Sequence, residues 1–226
     1  SIYYDLLAPG ISDLYKNSSS FVPNTSPCNI GEIESSTTNS PFSSPATTPF
    51  IQFKHQAVEG TNGNIYGACL FLAKIVHVTG HDKITLTARG NAQNTSGGAP
   101  GILRVGVVKN TANSQLFPGG NSSLVNHSLL SSTPAGTNLN ASFFTNSNRV
   151  LLDGDGNPSY VEWTTTDNTE FKSIQNINVS GIEGSVVVVV VSFHMHGTAE
   201  FAAGLQSTNR VDDIIVTSAN NEPVSY

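Results

Sequence analysis

The sequence predicts an all-β chain: a jelly-roll antiparallel β-sandwich over residues 51–226, preceded by an extended N-terminal arm over residues 1–50. Three observations carry this expectation. Apolar or alternating runs of strand length recur at a spacing of roughly 8–15 residues, the rhythm of sandwiches and barrels. The stretches between them are filled by Gly, Asn, Pro and Ser, the residues that turns and loops require. No amphipathic helix longer than three turns can be drawn, and the one modest helix candidate is Ser123 to Leu130. No internal repeat is apparent, which argues against a propeller or solenoid.

The arm comes first. Ile2 to Leu7 and Ile11 to Tyr15 each suit a short strand or a helical turn, and Pro41, Pro45 and Pro49 follow. Proline at that density is excluded from a sheet interior, so the segment is expected to run extended over a surface. Tyr3, Tyr4, Leu6, Leu7, Leu14 and Tyr15 present large apolar area with too little local chain to bury it. They form the candidate assembly interface, ordered by neighbouring subunits; the plainer alternative is an arm folded back onto its own sandwich. With Lys16 set against Asp5, Asp13, Glu32 and Glu34, the arm is suited to protein and not to RNA.

The strands follow. Phe50 to Val58 is partly alternating, and Ile65 to Val78 holds a buried strand, or a short helix and then a strand. Lys83 to Arg89 alternates cleanly at period two, as a half-buried strand does. Ile102 to Lys109 is reached through the loop from Asn94 to Gly101. Leu139 to Phe144, Val150 to Leu152, Tyr160 to Thr165 and Ile174 to Val179 are shorter candidates. Val186 to His194 is a β-branched run that belongs at the centre of a sheet with both faces covered. Ala199 to Ala203 and Asp212 to Thr217 close the domain.

Composition narrows function by exclusion. The 226 residues can bury a sizeable core, and 38% hydrophobic content is too high for intrinsic disorder. Only 12% of residues are charged and the net charge is −6, against a basic nucleic-acid binder. No apolar run reaches the roughly 20 residues of a membrane-spanning helix. The start Ser1-Ile2-Tyr3-Tyr4 lacks a signal peptide's charged opening and apolar stretch. It reads instead as a chain processed or excised from a precursor. Sequons at Asn17, Asn24, Asn94, Asn121, Asn126, Asn140 and Asn178 are little more than this Asn- and Ser-rich composition yields by chance.

Chemistry-bearing patterns are sparse. His194-Met195-His196 would point both rings to one face of a strand, a metal-ligand geometry, but no third ligand accompanies it. His77 and His81 flank the turn at Thr79-Gly80, and His55 and His127 form no pattern. Asp153-Gly154-Asp155-Gly156-Asn157 resembles the opening of a calcium loop, yet Pro158 and Thr164 stand where such loops need Gly and Glu. The same residues suit a plain tight turn. Glu162, Glu170, Asp212 and Asp213 offer carboxylates that nothing places across a cleft. Trp163 near Tyr160 suits either a sugar platform or, more ordinarily, core packing. Cys69 sits in an apolar stretch as a buried thiol, or pairs with Cys28. No catalytic residue, metal or cofactor is expected, and the chain reads as non-enzymatic.

Two family resemblances follow. Leu70 to Lys74, then Lys83 to Gly90, then Ile102 to Val108, Leu139 to Phe143, and Val190 to His194 ending in Glu200 to Gly204 resemble the strand series of the small coat proteins of plant picorna-like icosahedral viruses, the comovirus and cheravirus type. That resemblance implies a capsid subunit, located in the virion, that assembles with other coat-protein subunits, contacts the genome weakly and non-specifically, and meets no membrane. Trp163-Thr164-Thr165 with Phe171, Val186 to Phe193, and Asn209 to Val216 with its Asp212-Asp213-Ile214 pattern resemble carbohydrate-binding modules of the galactose-binding-like type. This one implies a non-catalytic glycan-binding module. The capsid is the leading expectation, with the module, or an extracellular structural domain, as the alternative.

Overall fold

The computed structural model describes residues 15–17, 29–42, 49–59, 65–66, 69–93, 101–110, 142–145, 147–165, 171–194 and 206–218. Within them the chain forms β1 (Tyr15–Asn17), β2 (Asn29–Ser36), β3 (Phe50–Glu59), β4 (Ile65–Tyr66), β5 (Cys69–His77), β6 (Lys83–Asn91) and β7 (Gly101–Lys109). A single helical turn, α1 (Ser142–Thr145), precedes β8 (Tyr160–Trp163), β9 (Phe171–Asn178), β10 (Ser185–His194) and β11 (Gln206–Ser218). One sheet has the order β1-β5-β10-β7-β8 and the other β2-β3-β11-β6-β9, with β4 paired to β3. Every pairing is antiparallel. The expected all-β sandwich is present.

The pairing is nested. From β3 onward, β3 pairs with β11, β5 with β10, β6 with β9 and β7 with β8. From β5 the chain thus switches sheets at each strand except between β7 and β8, which pair as neighbours, and the inward residues of both sheets form one core.

That core explains the sequence pattern. Ile84, Leu86 and Ala88 of β6 point inward while Thr87 and Arg89 point out, as period two requires. In β10, Val186, Val188 and Val190 enter the core, and Val187, Val189 and Val191 on the opposite face are equally buried. A β-branched run buried on both faces is the central strand that the sequence predicts. Trp163 is wholly buried, so the core-packing alternative holds and the sugar-platform reading does not. Gly90 makes room for it: a Cβ there would lie 2.6 Å from the Trp163 ring.

Several expected elements differ. The strand expected at Leu139 to Phe144 is, where described, the helical turn α1, which sets Phe144 in a parallel stack on Tyr160 at 5.2 Å. Val150 to Leu152 contributes only isolated bridges, Val150 to Val108 and Leu152 to Pro158. Strand β9 begins at Phe171 rather than Ile174, and β11 at Gln206 rather than Asp212. The Ser123 to Leu130 helix and the Ala199 to Ala203 strand lie outside the described residues.

The described parts of residues 1–50 include two strands, and both lie on this chain's own sheets. β2 pairs with β3 from Asn29↔Ala57 to Ser36↔Phe50, and β1 pairs with β5. Phe42 is buried, edge-on to Phe50 at 6.1 Å and under the guanidinium of Arg89 at 5.1 Å. Backbone pairing of this kind satisfies an edge strand's free N–H and C=O groups, which supplies a local reason for the segment to dock in cis.

One side of the sandwich is closed by residues 149–159. The Lys109 amide donates to the Arg149 carbonyl at 2.8 Å, and the Asn178 amide donates to the Leu152 carbonyl at 2.9 Å. The segment thus runs from β7 in one sheet to β9 in the other, past the edge where the functional groups collect.

Candidate functional site

A groove of about 390 Å³ lies where the edge strands of the two sheets, β8 and β9, meet. Its walls are Asp153, Gly154 and Asp155 from the crossing segment, Tyr160 and Val161 from β8, and Ser173 to Asn176 from β9. A cavity of this size falls in the range of small-molecule sites. Its polar groups are two carboxylates, two carboxamides, a hydroxyl and a phenol.

Local sequence builds each wall. Asp153 accepts backbone N–H bonds from Asp155 and Asn157 on Oδ1, both at 2.9 Å, while Gly156 takes a positive φ of 80°. These bonds form a tight turn, and among the described residues no group of three His, Cys, Asp or Glu side chains comes together. The Gly154 amide donates to the Gln175 carbonyl at 3.2 Å, and a Cβ on Gly154 would lie 3.0 Å from that of Asn176. Glycine is what lets the loop approach the strand. Asn176 itself has φ 56° and sits where the β6–β9 register shifts, a bulge that re-aims the end of the groove. Tyr160 is half-buried, its ring held by the stack on Phe144.

The groove continues onto the outer face of the second sheet. Ser173 lines it and exchanges a 3.0 Å hydrogen bond with Thr87, an outward residue of β6. Two positions before Ser173, on the same face, stands Phe171, 57% exposed. The Arg89 guanidinium lies over the Phe171 ring at 4.9 Å and over Phe42 at 5.1 Å, and Arg89 Nε donates to Asp213 Oδ2 at 2.5 Å. Phe171 therefore rests on a buried, ion-paired cation that leaves the ring's other side to solvent. Cation–π contacts of this kind contribute about 0.5–2 kcal/mol each and fix ring orientation.

Beside this platform Arg210 donates to Gln52 Oε1 at 3.4 Å and lies over Phe50 at 6.0 Å. Burial pulls its guanidinium below its ordinary value. On the inner side, Lys172 donates to the Glu162 carbonyl at 2.5 Å and sits over the Trp163 ring at 5.8 Å. Arg104 Nε donates to Glu162 Oε2 at 2.6 Å.

The sequence-predicted residues are dispersed. Tyr3, Tyr4, Leu6, Leu7 and Leu14 lie outside the described residues, and Tyr15 enters through its backbone pairing with Ala73. His194 ends β10, but its side chain and His196 also lie outside, as do Cys28, His127 and Glu170. His77 and His81 flank the Thr79-Gly80 turn as expected. Asp213 carries a positive φ of 51° at the β11 bulge and is engaged by Arg89. Phe171 entered the sequence reading only through the module resemblance and Gln175 only as part of a strand expected to start at Ile174, so neither they nor Ser173 were singled out as site residues. The signal was their own alternation, an aromatic and two polar residues at period two.

No protein-family model and no curated protein sequence matches this chain. In shape it is similar to a carbohydrate-binding module of the β-sandwich superfamily, with a TM-score of 0.44 and 8% identity over 96% of this chain and 62% of that one. It is also similar to TmCBM61 in complex with β-1,4-galactotriose, at TM-score 0.45, 13% identity and coverages of 96% and 99%. The xyloglucanase domain of NopAA, a type three effector from Sinorhizobium fredii, in complex with cellobiose, gives 0.36, 12%, 96% and 96%. This chain spans 62% of the first of these. At such scores and identities the likeness is one of loose shape and carries nothing about what this chain binds.

Proposed function

We propose that the chain is a non-catalytic glycan-binding β-sandwich domain. The observation that supports this reading is the groove between β8 and β9, whose polar groups are Asp153, Asp155, Tyr160, Ser173, Gln175 and Asn176. Sugar hydroxyls donate and accept at once, so planar carboxylates and carboxamides suit them, and an aromatic ring suits the apolar face of a pyranose. The carboxylates sit on a single turn, and Asp153 spends one oxygen on backbone amides; an acid and base facing each other across a bond is a different arrangement. The test is affinity electrophoresis through gels containing cellulose derivatives, xylan, glucans or galactans. Retardation by at least one polysaccharide, without release of reducing sugar, is expected. Migration unchanged by all of them, or turnover abolished by Asp155→Asn, contradicts the reading.

A second reading, a capsid subunit, is favoured by the nested strand order, which fits the jelly roll that shell proteins use, and by the N-terminal strands laid along the sheet edges. It expects particles of uniform diameter by electron microscopy of the concentrated protein. A monomer at every concentration tested contradicts it.

A further inference from the structure

We infer that the ligand is the interior of a neutral polysaccharide chain, lying along β9 from the groove to Phe171, and not a single sugar or an acidic glycan. This rests on the glycan-binding reading above and adds Phe171 as an outlying contact and the charge class of the ligand.

Three observations carry it. Phe171 and Ser173 share the outer face of β9, and Ser173 belongs to both the groove wall and that face, so the two surfaces are continuous. At about 3.3 Å per strand residue Phe171 and Gln175 are about 13 Å apart, roughly the length of three linked pyranose rings. A lone sugar in the groove does not reach Phe171, whereas a chain of three or four residues touches both. Second, Phe171 is 57% exposed although the Arg89 guanidinium stacks on it and Asp213 holds that guanidinium in place. An exposed aromatic ring held rigid at the surface loses little entropy on binding, which is what a stacking platform needs. Third, among the described residues Asp153 and Asp155 are the charged groups in the groove wall, and the chain carries a net charge of −6. Bringing uronate carboxylates to that wall would set like charges together in a partly desolvated site.

Calorimetric titration with cello-, xylo- and galacto-oligosaccharide ladders from two to six residues tests this, with polygalacturonate as the acidic probe. Affinity for the bound series is expected to rise about tenfold or more from the disaccharide to the tetrasaccharide and to level off after it. Phe171→Ala is expected to weaken tetrasaccharide binding about 3–10-fold, as loss of one aromatic contact does, while leaving the disaccharide unchanged. Phe171→Tyr is expected to retain affinity, which separates stacking from any folding defect of the alanine variant. Polygalacturonate is expected not to bind. Binding that is flat from the disaccharide upward, equal in Phe171→Ala, or strongest for polygalacturonate overturns the inference while leaving glycan binding intact. Failure of the parent protein to bind any glycan removes the glycan-binding reading itself, and this inference with it.

Discussion

At Gly106 the backbone is pressed against its neighbours so closely that a single methyl group has nowhere to go. A Cβ there would lie 2.5 Å from the Ser159 carbonyl oxygen and 2.7 Å from both the Phe144 ring and Tyr160. The first of these is backbone and yields only if the chain shifts. Gly106→Ala is therefore expected to cost about 1–3 kcal/mol by overpacking, lowering the urea midpoint at unchanged slope. A neutral result would mean that the approach of β8 to β7 is looser than described. Because Gly106 holds Tyr160 against Phe144, the variant also reports on the groove wall. Glu34 shows the opposite regime. The hydrogen bond from Lys54 Nζ, 2.6 Å away, is the main cause holding its carboxyl below the ordinary 4.5, partial burial opposes this, and Gln52 and the Lys54 charge assist. A carboxylate depressed in the folded state stabilises above its unfolded value, and that contribution is lost as pH falls through the folded one. With the side chain 38% exposed, solvent screening limits it to about 0.2–1 kcal/mol. Glu34→Gln is expected to show that small loss at pH 7 and none once the carboxyl of the parent is protonated, well below 4.5. A penalty that grows on acidification would contradict the pairing.

Among the elements, those whose identity lay in period or β-branching were legible: β6 from its alternation, β10 from its valine run, β3 and β7 from mixed apolar stretches. What failed was governed by long-range pairing. β9 reads weakly because Asn176 breaks its alternation with a left-handed residue, and only the partner strand β6 reveals that Phe171 to Ser173 already belong to the ladder. The described part of the arm also depends on long-range pairing. The arm's apolar and aromatic residues pointed to neighbouring subunits, with folding back onto the same sandwich as the alternative, and β2 finds eight register positions on β3 of the same chain. Removing the residues up to Phe42 is expected to destabilise the sandwich. Burial of Phe42 alone is worth about 1.5–3 kcal/mol, or roughly 3–12 °C in melting temperature at this size. A truncated domain that melts with the parent would return the arm to a role between subunits.

On the scale of the whole molecule, nesting decides where a ligand surface can form. Pairing β7 with β8 and β6 with β9 puts β8 and β9 at the same side of the two sheets, and the crossing segment 149–159 walls the gap between them. The sandwich class was readable from spacing and turn residues, but this edge was not. It brings together side chains from Asp153 to Asn176 in three elements whose adjacency exists only after folding. Tyr160 and the Asp153 turn were singled out in the sequence, the first beside Trp163 as sugar platform or packing, the second as plain turn or calcium loop. The tryptophan is core, and the turn contributes a wall. The most direct test of the groove is amide chemical-shift mapping of the folded protein during titration with the oligosaccharide that it binds best. Perturbations are expected to concentrate on Asp155, Tyr160, Phe171, Ser173, Gln175 and Asn176, with the β5–β10 ladder unmoved. Shifts confined to any other face of the sandwich, or no shifts with any oligosaccharide of the ladders, would contradict it.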